Sequence, residues 1–286
     1  MIRYMGAPIA TPRVRALSAA LKQIRTDKGV GQRELARMLG IQHANISFWE
    51  SGKRIPDVTD VAAILAKLDV TGPERERILD LARHATEPNW LTAGVPGMSP
   101  GLAGVLDCER TASTITDWSP LVLPGLLHTS DYARALLSAG LPANEAEPRV
   151  MMRMARRDVL IRSQPANMIA LIHERALDEV MGSPTVQVDQ LRHVLTMAER
   201  PNVTIQVVQS GQGWHPGMAG PFILFDFPGS PSIVHIEHHR SSAFLYDEAD
   251  VQDYKAAAEA IRSVAMSPEE SLELIAGTIT KLESAL

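Results

Sequence analysis

Between Gly31 and Pro56 the chain reads GQRELARMLGIQHANISFWESGKRIP, a pattern that few folds accommodate. Leu35, Ala36 and Leu39 recur at helical spacing. Gly40 then ends the helix, because glycine reaches the left-handed conformation of a sharp C-terminal stop. Ile41 follows as an apolar turn residue. A second helix is expected from about His43 to Ser51, with Ile46 and Trp49 facing inward and Gly52 as its stop. Two short helices around a glycine-containing turn make a helix-turn-helix, the unit that sets a recognition helix into the DNA major groove.

The flanking sequence supplies the rest of a small helical domain. Val14, Leu17, Leu21 and Ile24 form one apolar stripe on a helix predicted over Arg13–Lys28. Asp57 suits the cap of a helix carrying Val61, Ile64, Leu65 and Leu68. Pro73 suits the first turn of a helix over Glu74–His84, with Ile78 and Leu81 inward. Then TEPNWLTAGVPGMSP, from Thr86 to Pro100, is rich in Pro, Gly and small polar residues and reads as a linker. This places a helix-turn-helix domain at 1–86, a linker at 87–100 and a second domain at 101–286, since 286 residues are long for one domain.

The second domain reads differently. Helices are expected at Leu102–Thr114, Ser130–Ser138, Pro148–Ser163, Val186–Glu199, Ala249–Met266 and Pro268–Glu283. Met168–His173, Val203–Gln209, Phe222–Phe227 and Ile233–Glu237 are short, β-branched or aromatic runs bounded by turns, and read as strands. The fold class is therefore multidomain: an all-α helix-turn-helix domain followed by an α+β domain with a sheet of four or five strands.

Charge agrees with this division. Up to Thr86 there are 14 basic and 9 acidic residues, against 14 and 24 in the remainder. A basic first module suits a phosphate backbone, which the acidic remainder would repel. There is no run of about 18 apolar residues, so no membrane span is expected. The opening MIRYMGAPIATPR lacks the apolar core of a signal peptide, and the single cysteine, Cys108, has no disulfide partner. Both point to the cytoplasm.

The pattern QxELAxxxGIxxxxISxWExGxRxP resembles the DNA-binding domain of the Cro and phage-repressor type, the XRE family. Two positions depart from it: Gly31 stands where Thr or Ser caps the first helix, and Gln42 where Ser precedes the recognition helix. The resemblance implies that Gln42, His43, Ala44 and Asn45 face base edges, with Ser47 further along the same helix. Gln and Asn pair with adenine, and an alanine methyl suits a thymine methyl. It implies that Gln32 contacts a phosphate and braces the recognition helix, and that Lys53 and Arg54 reach phosphate. It further implies an ion pair between Arg25 and Glu50 that orients one helix on the other.

The remainder, in WSPLVLPGLLHTSDYARALL, RRDVL, HERAL, MAERPNVTIQVV and SPEESLELI, resembles a domain attached to such modules in actinobacterial, antitoxin-like regulators. That resemblance brings no ligand with it.

A second chemistry finds little support. His235, Glu237, His238 and His239 lie close in sequence, with Trp214-His215 upstream, but they lack the H-E-x-x-H spacing of a helix-borne zinc site. Gly211-Gln212-Gly213 is a turn, not a phosphate loop, and no G-x-S-x-G elbow exists. Asp226 and Glu237 are the closest approach to a carboxylate pair. No catalytic residue, metal or cofactor is expected. A sensory pocket, if built, would draw on Trp214, Phe222, Phe225 and Tyr246. The expected function is a sequence-specific transcriptional regulator, not an enzyme, that binds double-stranded DNA as a homodimer. Its second domain would serve assembly, sensing of a small-molecule effector or partner binding. The alternative is an antitoxin-like protein that captures a small partner protein and regulates its own operon.

Overall fold

The structure, a computed structural model, describes residues 12–85, 90–93, 100–228, 230–238, 241–245 and 247–285. The chain divides into two compact units. The first comprises residues 1–108, 229–233 and 240–247, and the second comprises 109–228, 234–239 and 248–286. His239 and Tyr246 lie outside the described residues.

Five helices open the first unit: α1 Pro12–Asp27, α2 Gln32–Leu39, α3 His43–Glu50, α4 Val58–Lys67 and α5 Gly72–Arg83. Their apolar stripes converge on one core. Val14, Leu17, Leu35, Ile46, Leu65 and Ile78 are all almost wholly buried. At ~25 cal/mol per Å² of apolar surface, side chains of this size stabilise the module by roughly 1.5–3 kcal/mol each. Asp57 caps α4 by accepting from the Asp60 amide at 2.8 Å. Beyond the helices, β1 Trp90–Ala93, inside the stretch read as linker, is a strand. It runs antiparallel to Ser241–Leu245, with Trp90 opposite Phe244.

Helix α6, Pro100–Thr111, carries the chain into the second unit. There β2 Thr114–Ser119 is followed by α7 Ser130–Ser138, α8 Ala143–Arg156 and α9 Asp158–Ile161. Then come β3 Asn167–His173, α10 Arg175–Asp178, α11 Pro184–Ala198 and β4 Val203–Val208. The chain continues through β5 Phe222–Phe227, β6 Ser230–Glu237, β7 Ser241–Leu245, α12 Glu248–Val264 and α13 Pro268–Glu283. Single 3₁₀ turns occupy Gly125–Leu127 and Pro216–Ala219. Within the second unit the strand order is β6-β5-β2-β3-β4. β2, β3 and β4 are parallel and joined by helical crossovers, whereas β5 is antiparallel to β2. The α+β class stands.

Two expectations in this region change. The helix read over Leu102–Thr114 stops at Thr111, and Thr114–Ser119 is the sheet's β2. Its sequence, TITDWS, hid it: the strand is buried from Ile115 onward, so burial does not alternate along it. The helix read over Pro148–Ser163 begins earlier, at Ala143, and is two helices, α8 and α9, meeting at Arg157. Pro148 lies inside α8, where it cannot donate to the Asn144 carbonyl one turn earlier.

Candidate nucleic-acid interface

The recognition helix is positioned by backbone chemistry at one end and by charge at the other. At its N-terminal side Gly40 adopts φ +67°, a conformation that costs a non-glycine residue, and the Ile41 amide reaches back to the Ala36 carbonyl at 3.0 Å. The turn is thereby closed in three residues, Gly40 to Gln42, before α3 begins. Gln42 supplies no side-chain hydrogen bond to the start of α3. Gly31 has no side chain to give α2, and only the Glu34 carboxylate helps there, accepting from the Gly31 amide at 3.4 Å.

At the C-terminal end of α3, Glu50 is clamped. Its Oε1 accepts from Arg25 Nε at 2.6 Å, and its Oε2 accepts from Arg25 Nη2 and from Gln32 Nε2, both at 2.8 Å. Arg25 Nη1 also donates to the Val30 carbonyl at 2.7 Å. The side chains of Arg25 and Glu50 are 12% and 4% exposed, so the pair is largely withdrawn from water. The hydrogen bond to Glu50 raises the Arg25 pKa, with the charge of Glu50 adding to it and burial opposing it. One carboxylate thus ties the end of α1, the start of α2 and the end of α3 together.

That clamp leaves the opposite face of α3 in solvent. Gln42, His43 and Ala44 are exposed, and Asn45 and Ser47 half-buried. Ile46 and Trp49 are buried beneath them. Lys53 and Arg54 are exposed, and the Arg54 amide donates to the Phe48 carbonyl at 3.2 Å, which fixes the basic turn to the helix end. Gln32 is half-buried and spends its amide on Glu50. One residue not anticipated from the sequence joins this face. Phe48 is 42% exposed, one helical turn beyond Ala44. Its signal was present, an aromatic between the inward Ile46 and Trp49, but helical spacing alone does not say which apolar side chains are left outside.

The second unit contains a buried polar network. Glu109 of α6 takes a two-pronged ion pair from Arg156 of α8, at 2.6 and 2.9 Å, with the Glu109 side chain 2% exposed. Asp117 on β2 accepts from Ser119 Oγ at 2.8 Å. Burial pushes its carboxyl up to about 6, the Ser119 hydrogen bond opposing and Glu109 adding to the rise. His128 approaches the Leu123 carbonyl through Nε2 at 2.7 Å and Arg153 Nη1 through Nδ1 at 3.3 Å. A carbonyl can only accept, so Nε2 carries the proton and Nδ1 is the acceptor. Burial, then the charge of Arg153, lowers its pKa to about 3. His235 on β6 is likewise lowered to about 4 by burial and Arg156.

Other candidates resolve simply. Asp226 pairs with Lys255 at 3.0 Å. Trp214 is 81% exposed, whereas Phe222 and Phe225 are buried. Cys108 is buried. Among the described residues no group of three or more His, Cys, Asp or Glu side chains is placed to hold a metal, and no helix is long and apolar enough to cross a membrane.

Residues 102–277 match the family model described as domain of unknown function DUF5753. The chain belongs to the DUF5753 family. Residues 21–74 match a helix-turn-helix family model, HTH_3. No curated protein matches. The DUF5753 match runs from α6 to α13, so Glu109, Asp117, Arg156 and His235 all belong to it. The HTH_3 match covers the Glu50 clamp and the whole recognition helix. The protein is thus a DNA-binding regulator of the XRE type with a DUF5753 domain.

Proposed function

We propose that this protein is a sequence-specific transcriptional regulator that binds double-stranded DNA as a homodimer, in the cytoplasm, through the N-terminal part of α3. Residues 1–86 form the reading module, 87–100 connect it, and 101–286 serve assembly and sensing. The observation that carries the reading is the Glu50 clamp, which orients α3 while Gln42, His43, Ala44 and Asn45 stand on its solvent side. Base edges are read by that N-terminal turn, and Ser47, Lys53 and Arg54 serve the flanking backbone. Gln32 acts mainly through Glu50. One recognition helix reads few base pairs, so a two-fold pair of half-sites supplies the remaining selectivity.

A pair of substitutions separates the two kinds of contact. Arg54→Ala should weaken binding to every sequence and lower the salt dependence of log K by about one. Asn45→Ala should change base preference at one position of each half-site, at a cost of roughly 1–3 kcal/mol for the preferred base. A gel-shift salt series and a panel of single-base variants distinguish them. Equal losses on all sequences for Asn45→Ala would remove it from the base-reading set.

The antitoxin-like reading has one observation in its favour. Leu121, Trp214 and Met218 of the DUF5753 domain are 66%, 81% and 62% exposed, which suits a protein partner. Co-purification of a stoichiometric small protein with the native chain, and its loss on Trp214→Ser, would support that role.

A further inference from the structure

The DUF5753 domain contains a cavity of about 310 Å³ that none of the functions above uses. One wall is the Pro216–Ala219 turn with Gly220, Pro221 and Phe222; the other is α12, through Asp253, Tyr254 and Ala257. Ile236 and His238 complete it. The size is informative. The cavity is half open to solvent, and its volume is about twice that of a sealed cavity that accepts one benzene ring.

Its chemistry is mostly apolar, with aromatic groups and a single carboxylate. Phe222 and Tyr254 meet edge to face with centroids 5.0 Å apart. Asp253 lies one turn before Ala257 on the same face of α12. Of the carboxylates on α12 and neighbouring elements, Asp226 pairs with Lys255 at 3.0 Å and Glu259 with Arg262 at 3.1 Å. Asp253 has no cation within ion-pair distance among the described residues. Burial raises the Tyr254 pKa, with Asp250 contributing, so its hydroxyl stays a donor at neutral pH.

Gly220 sits on the turn side of the pocket. Its backbone sits at φ +134° and ψ 176°, a region that only glycine adopts readily. Nothing lies within 4 Å of where a Cβ would stand.

We propose that this cavity binds a small aromatic amine, its rings between the prolines, Phe222, Ile236 and Tyr254 and its ammonium at Asp253. Aromatic walls and an unneutralised carboxylate favour a cation over an anion of the same shape. The proposal rests on the sensing role given above to the DUF5753 domain, and supplies the class of molecule sensed.

The test uses the full chain and tryptamine as probe, with indole as its neutral counterpart and indole-3-propionate as its anionic one. Isothermal titration should show saturable tryptamine binding, weaker indole binding and no propionate binding. Asp253→Asn should weaken tryptamine by about fivefold and leave indole unchanged. Ala257→Phe, verified as folded by circular dichroism, should abolish both, and Ala219→Trp provides a second cavity-filling variant on the exposed side. No tryptamine binding, or equal binding of tryptamine and propionate, overturns the proposal. So does tryptamine binding that survives both filled variants. DNA selection by the unliganded chain is a separate readout, so a failure here leaves the regulator reading intact.

Discussion

Glu50 receives three hydrogen bonds from two side chains, Arg25 and Gln32. Removing its carboxylate would leave the Arg25 guanidinium, 12% exposed, without its counter-charge. Glu50→Ala should therefore cost on the order of 3 kcal/mol. DNA binding should fall with it, through loss of helix orientation rather than of a base contact. Chemical denaturation monitored at Trp49 measures the first effect. Recovery of DNA affinity at low temperature, where the fold persists, would show that the second is indirect.

Asp117 makes a pH-dependent prediction of its own. Its folded pKa, about 6, lies above the unfolded carboxylate value. The contribution is full below the unfolded value near pH 4 and is lost as pH rises through about 6. Asp117→Asn removes that dependence, so the variant should gain stability over the parent between pH 5 and 8, by up to about 3 kcal/mol. His128 and His235 act in the opposite sense. Their folded values are depressed to about 3 and about 4, so their contribution is present above the ordinary histidine pKa and lost as pH falls through the folded ones. Only the difference between variant and parent isolates Asp117. A variant no more stable at pH 8 than at pH 5, relative to parent, would contradict the assignment.

At the scale of elements, caps explain where stability is missing. Ser267 and Glu270 form a complete capping box at α13, with the Glu270 amide on Ser267 Oγ at 3.2 Å and the Ser267 amide on Glu270 Oε2 at 2.9 Å. The recognition helix has no such help at Gln42. Gln42→Ser should stabilise the fold by about 1 kcal/mol while altering DNA preference, which thermal melting and base-panel binding check together.

The helical module was legible because each of its helices carries one apolar face and a glycine, Asp or Pro marks most of its ends. Val14, Leu17, Leu21 and Ile24 read as a stripe and are buried as one. β5 was legible for a related reason: FILFDF is apolar and aromatic and bounded by prolines. β2 was not, because Thr116, Asp117 and Ser119 are polar residues buried in a sheet. Asp117 and Ser119 bond to each other at 2.8 Å, and the charges that surround Asp117, on Glu109 and Arg156, come from α6 and α8, outside any local window. The Glu109–Arg156 pair and His128 were hidden for the same reason, as each joins residues far apart in sequence.

For the whole molecule, the charge division and the two family matches follow the same division of labour. The basic module carries the recognition helix, and the acidic DUF5753 domain carries the buried network and the cavity. The central claim is that α3 reads DNA sequence in a two-fold assembly. Selection from random duplex DNA with the full-length chain tests it most directly, repeated with Asn45→Ala. The account predicts an inverted repeat with half-sites about one helical turn apart, and a changed base at one position of each half-site for the variant. Enrichment of no sequence, or of an identical sequence by both proteins, would contradict it.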